Sequence, residues 1–342
     1  MRNLLLLILL VLSACKPAQN LPQNSNQTAS SLTLFATEEF RSSGLEATIV
    51  PDFEKEMKCK INIRLFSDPA LMLRAFVEAG DSVDIVIGIP NGFVSPDSLQ
   101  PYFRPYKPTA MADLNKDCIA DSQFRIIPYG FSYLGLLYNK EVLGTPPASF
   151  GELQDERFLN QMALISPETS AAGRAMLHFS IALFGQEGFE QMLRALRKNV
   201  YREYPSVQQA LAAVNSGESV MMPGPVTLAA WQRELSGSES KLEFALFDEG
   251  AYLYSECMGI AQNSVNASLA ESFIDFVLKP SSQKMVIYKK GLFPSNRKTI
   301  LPSSFEKVPF SPWLVNSKMR ANISSEQSEI WLSTWAQVFQ SF

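Results

Sequence analysis

The sequence is poor in the residues on which most enzymes and metalloproteins depend. It has one histidine, His178, and four cysteines, Cys15, Cys59, Cys118 and Cys257, among 342 residues. No Cys-x-x-Cys pair or Cys/His cluster occurs, so there is no metal-ligand spacing to read. Gly-x-Ser-x-Gly, His-Glu-x-x-His and Gly-x-x-x-x-Gly-Lys-Ser/Thr are missing too, and the lone histidine lies in an apolar helical stretch without an orienting partner. The residues therefore predict no catalytic centre, metal or cofactor, and His178 reads as a core residue. Excess charge is equally scarce. Thirty Lys and Arg against 34 Asp and Glu leave a net charge of −4, which gives a nucleic acid or an acidic membrane surface nothing to hold.

Long apolar runs are absent with one exception. Residues 4–12, preceded by Arg2, form a nine-residue apolar run, far short of the roughly 20 residues that cross a bilayer. Such a run suits a signal peptide over residues 1–14. Leu12-Ser13-Ala14-Cys15 resembles the bacterial lipobox, which implies a lipid-modified Cys15 as the first mature residue. Two acyl chains, at about 0.8 kcal/mol per buried methylene, make a stable membrane anchor. The following stretch up to residue 30, rich in Asn, Gln, Ser and Pro, reads as a flexible spacer. Of the remaining cysteines, Cys59 and Cys118 could pair in an oxidising envelope, or all three could be buried free thiols.

The rest of the chain is too long for one ordinary core and suits two lobes. Strands are predicted at residues 32–35, 61–65 and 84–89, with helices at 50–58 and 69–79 between them. Pro51 suits the first turn of the earlier helix. The continuous apolarity of Asp84-Ile85-Val86-Ile87-Gly88-Ile89 points to a strand covered on both faces, as in a parallel sheet flanked by helices. Ligands of such sheets sit beyond the carboxyl ends of the strands. After residue 127 the pattern returns: strand 162–165, helices 174–183, 188–198 and 207–214, strand 219–222, and a helix opened by Pro225 that carries Trp231. Strands at 244–247 and 252–261 lead back, paired helices follow at 271–278 and 283–288, and a tail from Glu326 carries Trp331 and Trp335 at helical spacing as packing anchors.

The stretch Ile127-Pro128-Tyr129-Gly130, an apolar strand through Tyr138, then Pro146-Pro147 and Phe150-Gly151-Glu152-Leu153 resembles the first crossover of bacterial importer-associated solute-binding proteins. Val83 to Ile89, Ser166 to Gly173, Glu249-Gly250-Ala251-Tyr252-Leu253 with Glu256, and Leu301 to Lys307 are most similar to the thiamine-binding members of that group, beside the iron and polyamine binders. The resemblance implies an α/β, two-lobed periplasmic-binding-protein fold of type II with a ligand cleft between lobes. Lobe 1 is expected at 31–128 and 262–305, lobe 2 at 129–261, and a C-terminal helical segment at 306–342.

The same resemblance implies a non-enzymatic, monomeric, lipid-anchored protein on the periplasmic side of the cell envelope that passes a small solute to an inner-membrane ABC permease. Thiamine or a thiamine phosphate is the expected solute. A polyamine, iron, or a role as a sensor lipoprotein are the alternatives. The sequence departs from the thiamine binders where they carry stacking aromatics: Gly44, Val207, Pro225 and Gly291 stand there, and Pro90 stands for an Asp. Each missing ring forfeits about 0.5–2 kcal/mol of cation–π attraction. Tyr129, Phe131, Tyr252, Tyr254 and Phe293 are the rings that could replace them. Carboxylates at Glu38 or Glu39, Glu249 and Glu256 would favour a cation, with only one of the adjacent Glu38 and Glu39 facing it. Thr169 and Ser170, opening a helix, are the candidate contacts for a polar or anionic group. The expected ligand set is thus Glu38, Tyr129, Phe131, Thr169, Ser170, Tyr252, Glu256 and Phe293, with lipid on Cys15.

Overall fold

β1 (Ser31–Thr37) lies between β2 (Lys60–Phe66) and β3 (Ile85–Pro90) and is parallel to both. β3 is buried throughout, as its continuous apolarity predicts. β2 ends the sheet and alternates exposed with half-buried residues, because an edge strand keeps water on one side. This is a computed structural model, and it describes residues 30–92, 101–237, 240–311, 313–316 and 325–339. The predicted signal peptide, the lipidated Cys15 and nearly all of the spacer lie outside the described residues.

α1 (Glu38–Ser42), α2 (Glu46–Met57) and α3 (Pro69–Ala79) link these strands. α2 starts four residues before the start predicted from Pro51, which lies inside the helix. Gly44, at φ +82°, turns the chain out of α1, and the Thr48 hydroxyl donates to the Leu45 carbonyl at 2.9 Å, so the first turn is complete before Pro51 is reached. In α3 the Asp68 side chain accepts from the Leu71 amide and Pro69 occupies the first turn, which fixes the helix start.

Two long strands carry the chain between the lobes. β5 (Ile127–Asn139) is 13 residues long and buried except near its end, and β10 (Tyr252–Ala261) is buried along all 10. At about 3.4 Å per residue, β5 is long enough to belong to both halves. Its first part pairs antiparallel with β10, and its second part pairs with β8 (Met221–Pro225) and β9 (Leu242–Ala245). β10 pairs with β3 on its other side. β6 (Met162–Ile165) and β7 (Val200–Tyr204) continue the second half in parallel. The path through the sheet is therefore β2-β1-β3-β10-β5-β8-β6-β7, with β4 (Phe103–Arg104) beside β10, and β9 and β11 (Phe293–Pro294) beside β5.

α4 (Ala171–Leu196) contains both helices predicted there, broken at Gly185 (φ 70°, ψ 174°). α5 (Val207–Ser216) and α6 (Thr227–Ser236) follow β7 and β8. Pro225 ends β8 rather than opening α6: it pairs with Leu134 in the sheet, and Val226 makes the turn. α7 (Ala267–Val277) and α8 (Pro280–Lys290) return to the first half, where Phe273 meets Phe53 of α2 edge-on at 5.1 Å. After the short α9 (Ser303–Glu306), α10 (Ser325–Phe339) packs on α4. Trp331 and Trp335 are buried there, and the Trp335 indole donates to Glu203 at 2.7 Å. Cys59, Cys118 and Cys257 are buried free thiols, so the alternative of a Cys59–Cys118 disulfide is not realised. Burial raises the Cys118 thiol to about 12.

Candidate functional site

The parallel strands end on the same side of each half, and polar residues gather at those ends. β1 runs straight into α1, which places Glu38 and Glu39 just beyond the sheet. Glu38 is exposed and Glu39 half-buried, so Glu39 is the one turned inward. Its carboxylate accepts from the Lys290 ammonium at 2.8 Å. Lys290, the last residue of α8, lies 3.0 Å from Glu256 as well. Glu256 sits in the middle of β10 and accepts the hydroxyls of Tyr129 and of Tyr254, the latter at 2.8 Å. Two carboxylates, two phenols and one ammonium therefore form a closed network on the crossover strands. Lys290 and Glu256 keep only 3% and 4% of their side-chain surface.

The electrostatics follow from that enclosure. Burial pulls the Lys290 pKa down, but the Glu256 and Glu39 charges and their hydrogen bonds outweigh it and raise the pKa above the ordinary lysine value. Burial and the Glu256 charge drive both Tyr129 and Tyr254 well above the usual phenol range. Both phenols stay protonated donors, as Glu256 needs.

Beside the network is a small pocket of about 30 Å³ between the halves. Glu39, Ser43, Lys289 and Lys290 line it from α1 and α8, and Val207, Gln208, Leu211, Leu228 and Trp231 from α5 and α6. The Trp231 indole donates to the Tyr288 carbonyl at 2.9 Å, bridging α6 and α8. Its ring lies over Gly291, where an added Cβ would come within 3.0 Å of Trp231 Cγ. Gly291 has φ +66°, so a side chain would be disfavoured there on both counts. The Lys289 side chain rests on Gly44, its Cδ 3.6 Å from the position of a Cβ. No hydrogen bond or ion pair engages the Lys289 ammonium among the described residues.

At the other end of the crossover the polar groups are neutral. His178 of α4 is buried, and among the described residues neither ring nitrogen has a hydrogen-bond partner. Burial, with a smaller effect from Arg174, lowers its pKa to about 3. Its Nδ1 and the Tyr252 hydroxyl both approach Gly92, just after β3, at 2.6 and 3.4 Å from where a Cβ would stand. The Trp331 ring lies edge-on to the imidazole at 6.0 Å.

The predicted ligand residues are thus spread over several surroundings. Tyr129 and Glu256 belong to the ionic network, and Tyr252 lies with His178. Phe131 and Phe293 face each other at 5.3 Å, with Phe310 stacked on Phe293 at 5.2 Å, inside an apolar cluster. Thr169 is exposed and donates to the Pro205 carbonyl at 2.7 Å, while Ser170 caps α4 by accepting from the Gly173 amide. Glu249, a candidate acid in the sequence, instead accepts from the Phe150 amide at 3.1 Å and closes the turn there. Glu39 was the alternative to Glu38 in the sequence, whereas Trp231, Gln208 and the two lysines were not singled out as contacts. The signal for Trp231 was indirect: a glycine at 291 in place of a ring leaves room for a ring from elsewhere.

Another small space, of about 20 Å³, lies under α10. Its polar side-chain groups are the Ser180 hydroxyl, used on the Leu177 carbonyl at 2.7 Å, and the Trp335 indole N–H, used on Glu203. It offers nothing to orient a solute. Among the described residues no group of three or more His, Cys, Asp or Glu is placed to hold a metal ion.

The family model of the bacterial extracellular solute-binding proteins matches residues 80–321. The chain belongs to that family. A thiamine-binding periplasmic protein of Brucella suis is 25% identical over 288 residues, covering 83% of this chain and 85% of the relative. A putative 2-aminoethylphosphonate-binding periplasmic protein of Salmonella typhimurium is 27% identical over 184 residues, 52% of this chain and 54% of that one. Among solved structures, a periplasmic thiamin-binding protein superposes with a TM-score of 0.77 at 21% identity, covering 92% of this chain and 97% of its own. The likeness establishes the two-lobed, type II periplasmic-binding-protein fold. The family is one of solute-binding proteins, and the chain is one of its members.

Proposed function

We propose that this solute-binding protein captures a small aromatic cation, thiamine or a thiamine phosphate, between its lobes and hands it to an inner-membrane ABC permease. One observation carries the reading: the pocket between the halves pairs an indole face, Trp231, with a half-buried carboxylate, Glu39. A flat cation gains from both, about 0.5–2 kcal/mol from the ring and a further Coulombic term in a site partly shielded from water. Trp231 supplies from lobe 2 the stacking surface that Gly291 lacks. The names of the thiamine-binding relatives support the same solute. Of the predicted contacts, Tyr129 and Glu256 stand behind Lys290 in the ionic network rather than in the pocket lining, and Glu39 takes the role assigned to Glu38.

Capture follows from closure. A solute that touches Trp231 on one lobe and Glu39 on the other binds the closed form better than the open one, and that difference drives the lobes together. Lipid on Cys15 would tether the protein to a membrane of the envelope.

Titration calorimetry on protein refolded to remove carried-over solute tests the reading. Thiamine or its monophosphate should give saturable heat, and Trp231→Ala should weaken binding about 3- to 30-fold. Flat traces with both would remove thiamine and leave the family assignment untouched. A second reading, a zwitterionic phosphonate or phosphate ester, is favoured by the unengaged Lys289 ammonium beside the same pocket and by the aminoethylphosphonate relative. 2-Aminoethylphosphonate belongs in the same titration series.

A further inference from the structure

The ionic network has the composition of a receptor for an alkylammonium guest. Glu39 and Glu256 each bring an oxygen to within 3.0 Å of one ammonium nitrogen, and Tyr129 and Tyr254 hold Glu256 in place through their hydroxyls. Glu39 and Lys290 also line the solute pocket, so this receptor opens onto the chamber. The guest, however, is the protein's own side chain. Beyond its Cβ, Lys290 has the atoms of n-propylammonium, delivered by the C-terminal end of α8.

We propose that Lys290 is a built-in cation that fills the ammonium subsite beside the solute pocket and so keeps the ammonium of any primary amine, polyamines among them, out of that subsite. The inference rests on the reading of that pocket as the solute chamber. With Lys290 seated, the charges of Lys290 and Glu256 cancel, and Glu39 is the one carboxylate of the network that still meets the pocket. A ring cation can lie against Trp231 and the open side of Glu39 without displacing Lys290. A primary amine gains its full set of acceptors only where Lys290 already stands. Lys290 is thus a specificity-determining residue by occupancy.

Removing the tethered guest should let a free one in. Lys290→Ala should melt at least about 5 °C below wild type, since it leaves Glu256 buried without its cation. n-Propylammonium chloride should raise the melting temperature of the variant saturably, by 2 °C or more, while tetramethylammonium chloride at equal ionic strength should not. Wild type should respond to neither. In calorimetry, putrescine and spermidine should bind Lys290→Ala at least tenfold more tightly than wild type.

If the variant is insoluble, it is refolded with each salt. Recovery with n-propylammonium alone supports the proposal, and equal yields overturn it. Equal responses to the two salts, or wild type binding polyamine as tightly as the variant, also overturn it. Thiamine titrated into wild type separates this inference from the functional reading. Heat from thiamine with no amine rescue removes the built-in cation and keeps the chamber. Amine rescue with no thiamine heat keeps the built-in cation and removes thiamine.

Discussion

The two ends of the crossover strands bury polar groups in opposite ways. Around Glu256, Lys290 keeps its charge because Glu39 and Glu256 accept from its ammonium, and Tyr129 and Tyr254 donate to the Glu256 carboxylate. At the other end His178 has no partner at either nitrogen among the described residues and is held neutral. A buried charge is tolerated only when it is paired and bonded, and a base without such partners gives up its proton instead. The charged end meets the pocket where solute is proposed to bind. The neutral end packs lobe 2 against Gly92 and Trp331.

The contrast is broken most severely at Glu256. Glu256→Ala strands Lys290 with one half-exposed partner, and loss of one member of a buried pair typically costs about 3–5 kcal/mol. Chemical denaturation at neutral pH measures it, and a loss under about 1 kcal/mol would mean that the network carries little of the fold's stability.

The neutral end should respond to acid. His178 titrates near 6.5 in the unfolded chain and at about 3 in the fold, so below pH 6.5 the unfolded state takes up the extra proton. Stability from this group is complete above pH 6.5 and is lost as pH falls toward 3, at about 1.4 kcal/mol per pH unit. The loss should reach about 3 kcal/mol by pH 4. His178→Phe should flatten that slope over the same interval. Identical slopes in variant and wild type would show that the imidazole is not what acid attacks.

Contact between the lobes at this end is tested by Gly92→Ala. A methyl there would lie 2.6 Å from His178 Nδ1, and overpacking of this kind costs about 1–3 kcal/mol. In a His178→Ala background most of that cost should vanish, and a double-mutant cycle without coupling would contradict the packing described. The smallest effect belongs to Ser170→Ala, which removes the cap of α4 for about 1 kcal/mol. Solute affinity should not change with it, because the Ser170 hydroxyl is used on the Gly173 amide. A parallel drop in affinity would return Ser170 to the ligand set.

Much of the architecture was legible in the chain itself. The continuous apolarity of residues 84–89 identified a covered parallel strand, and β3 is buried along its length. The resemblance of the segment from Ile127 to the crossover of importer-associated binding proteins implied a strand shared by two lobes, and β5 serves both halves of the sheet. These features are local: they depend on apolar periodicity and on proline and glycine, which act within a few residues. Helix starts were read less well where a tertiary or turn contact overrode the local signal. Pro51 suggested a first turn, but Gly44 and Thr48 had already built it. Pro225 suggested a helix start, but pairing with Leu134 holds it in β8.

The sequence by itself determined the class of fold and the family, because these rest on composition and on motifs close together in the chain. Only the tertiary structure decided which polar residues meet at the crossover. Glu39, Glu256 and Lys290 are far apart in the chain, as are Trp231 and Gly291, and their partnership depends on where α1, α6, α8 and β10 pack. A carboxylate in a sequence carries the same charge whether it faces water, caps a turn as Glu249 does, or holds a buried ammonium as Glu256 does. Burial and partners separate these cases, and both are properties of the folded chain.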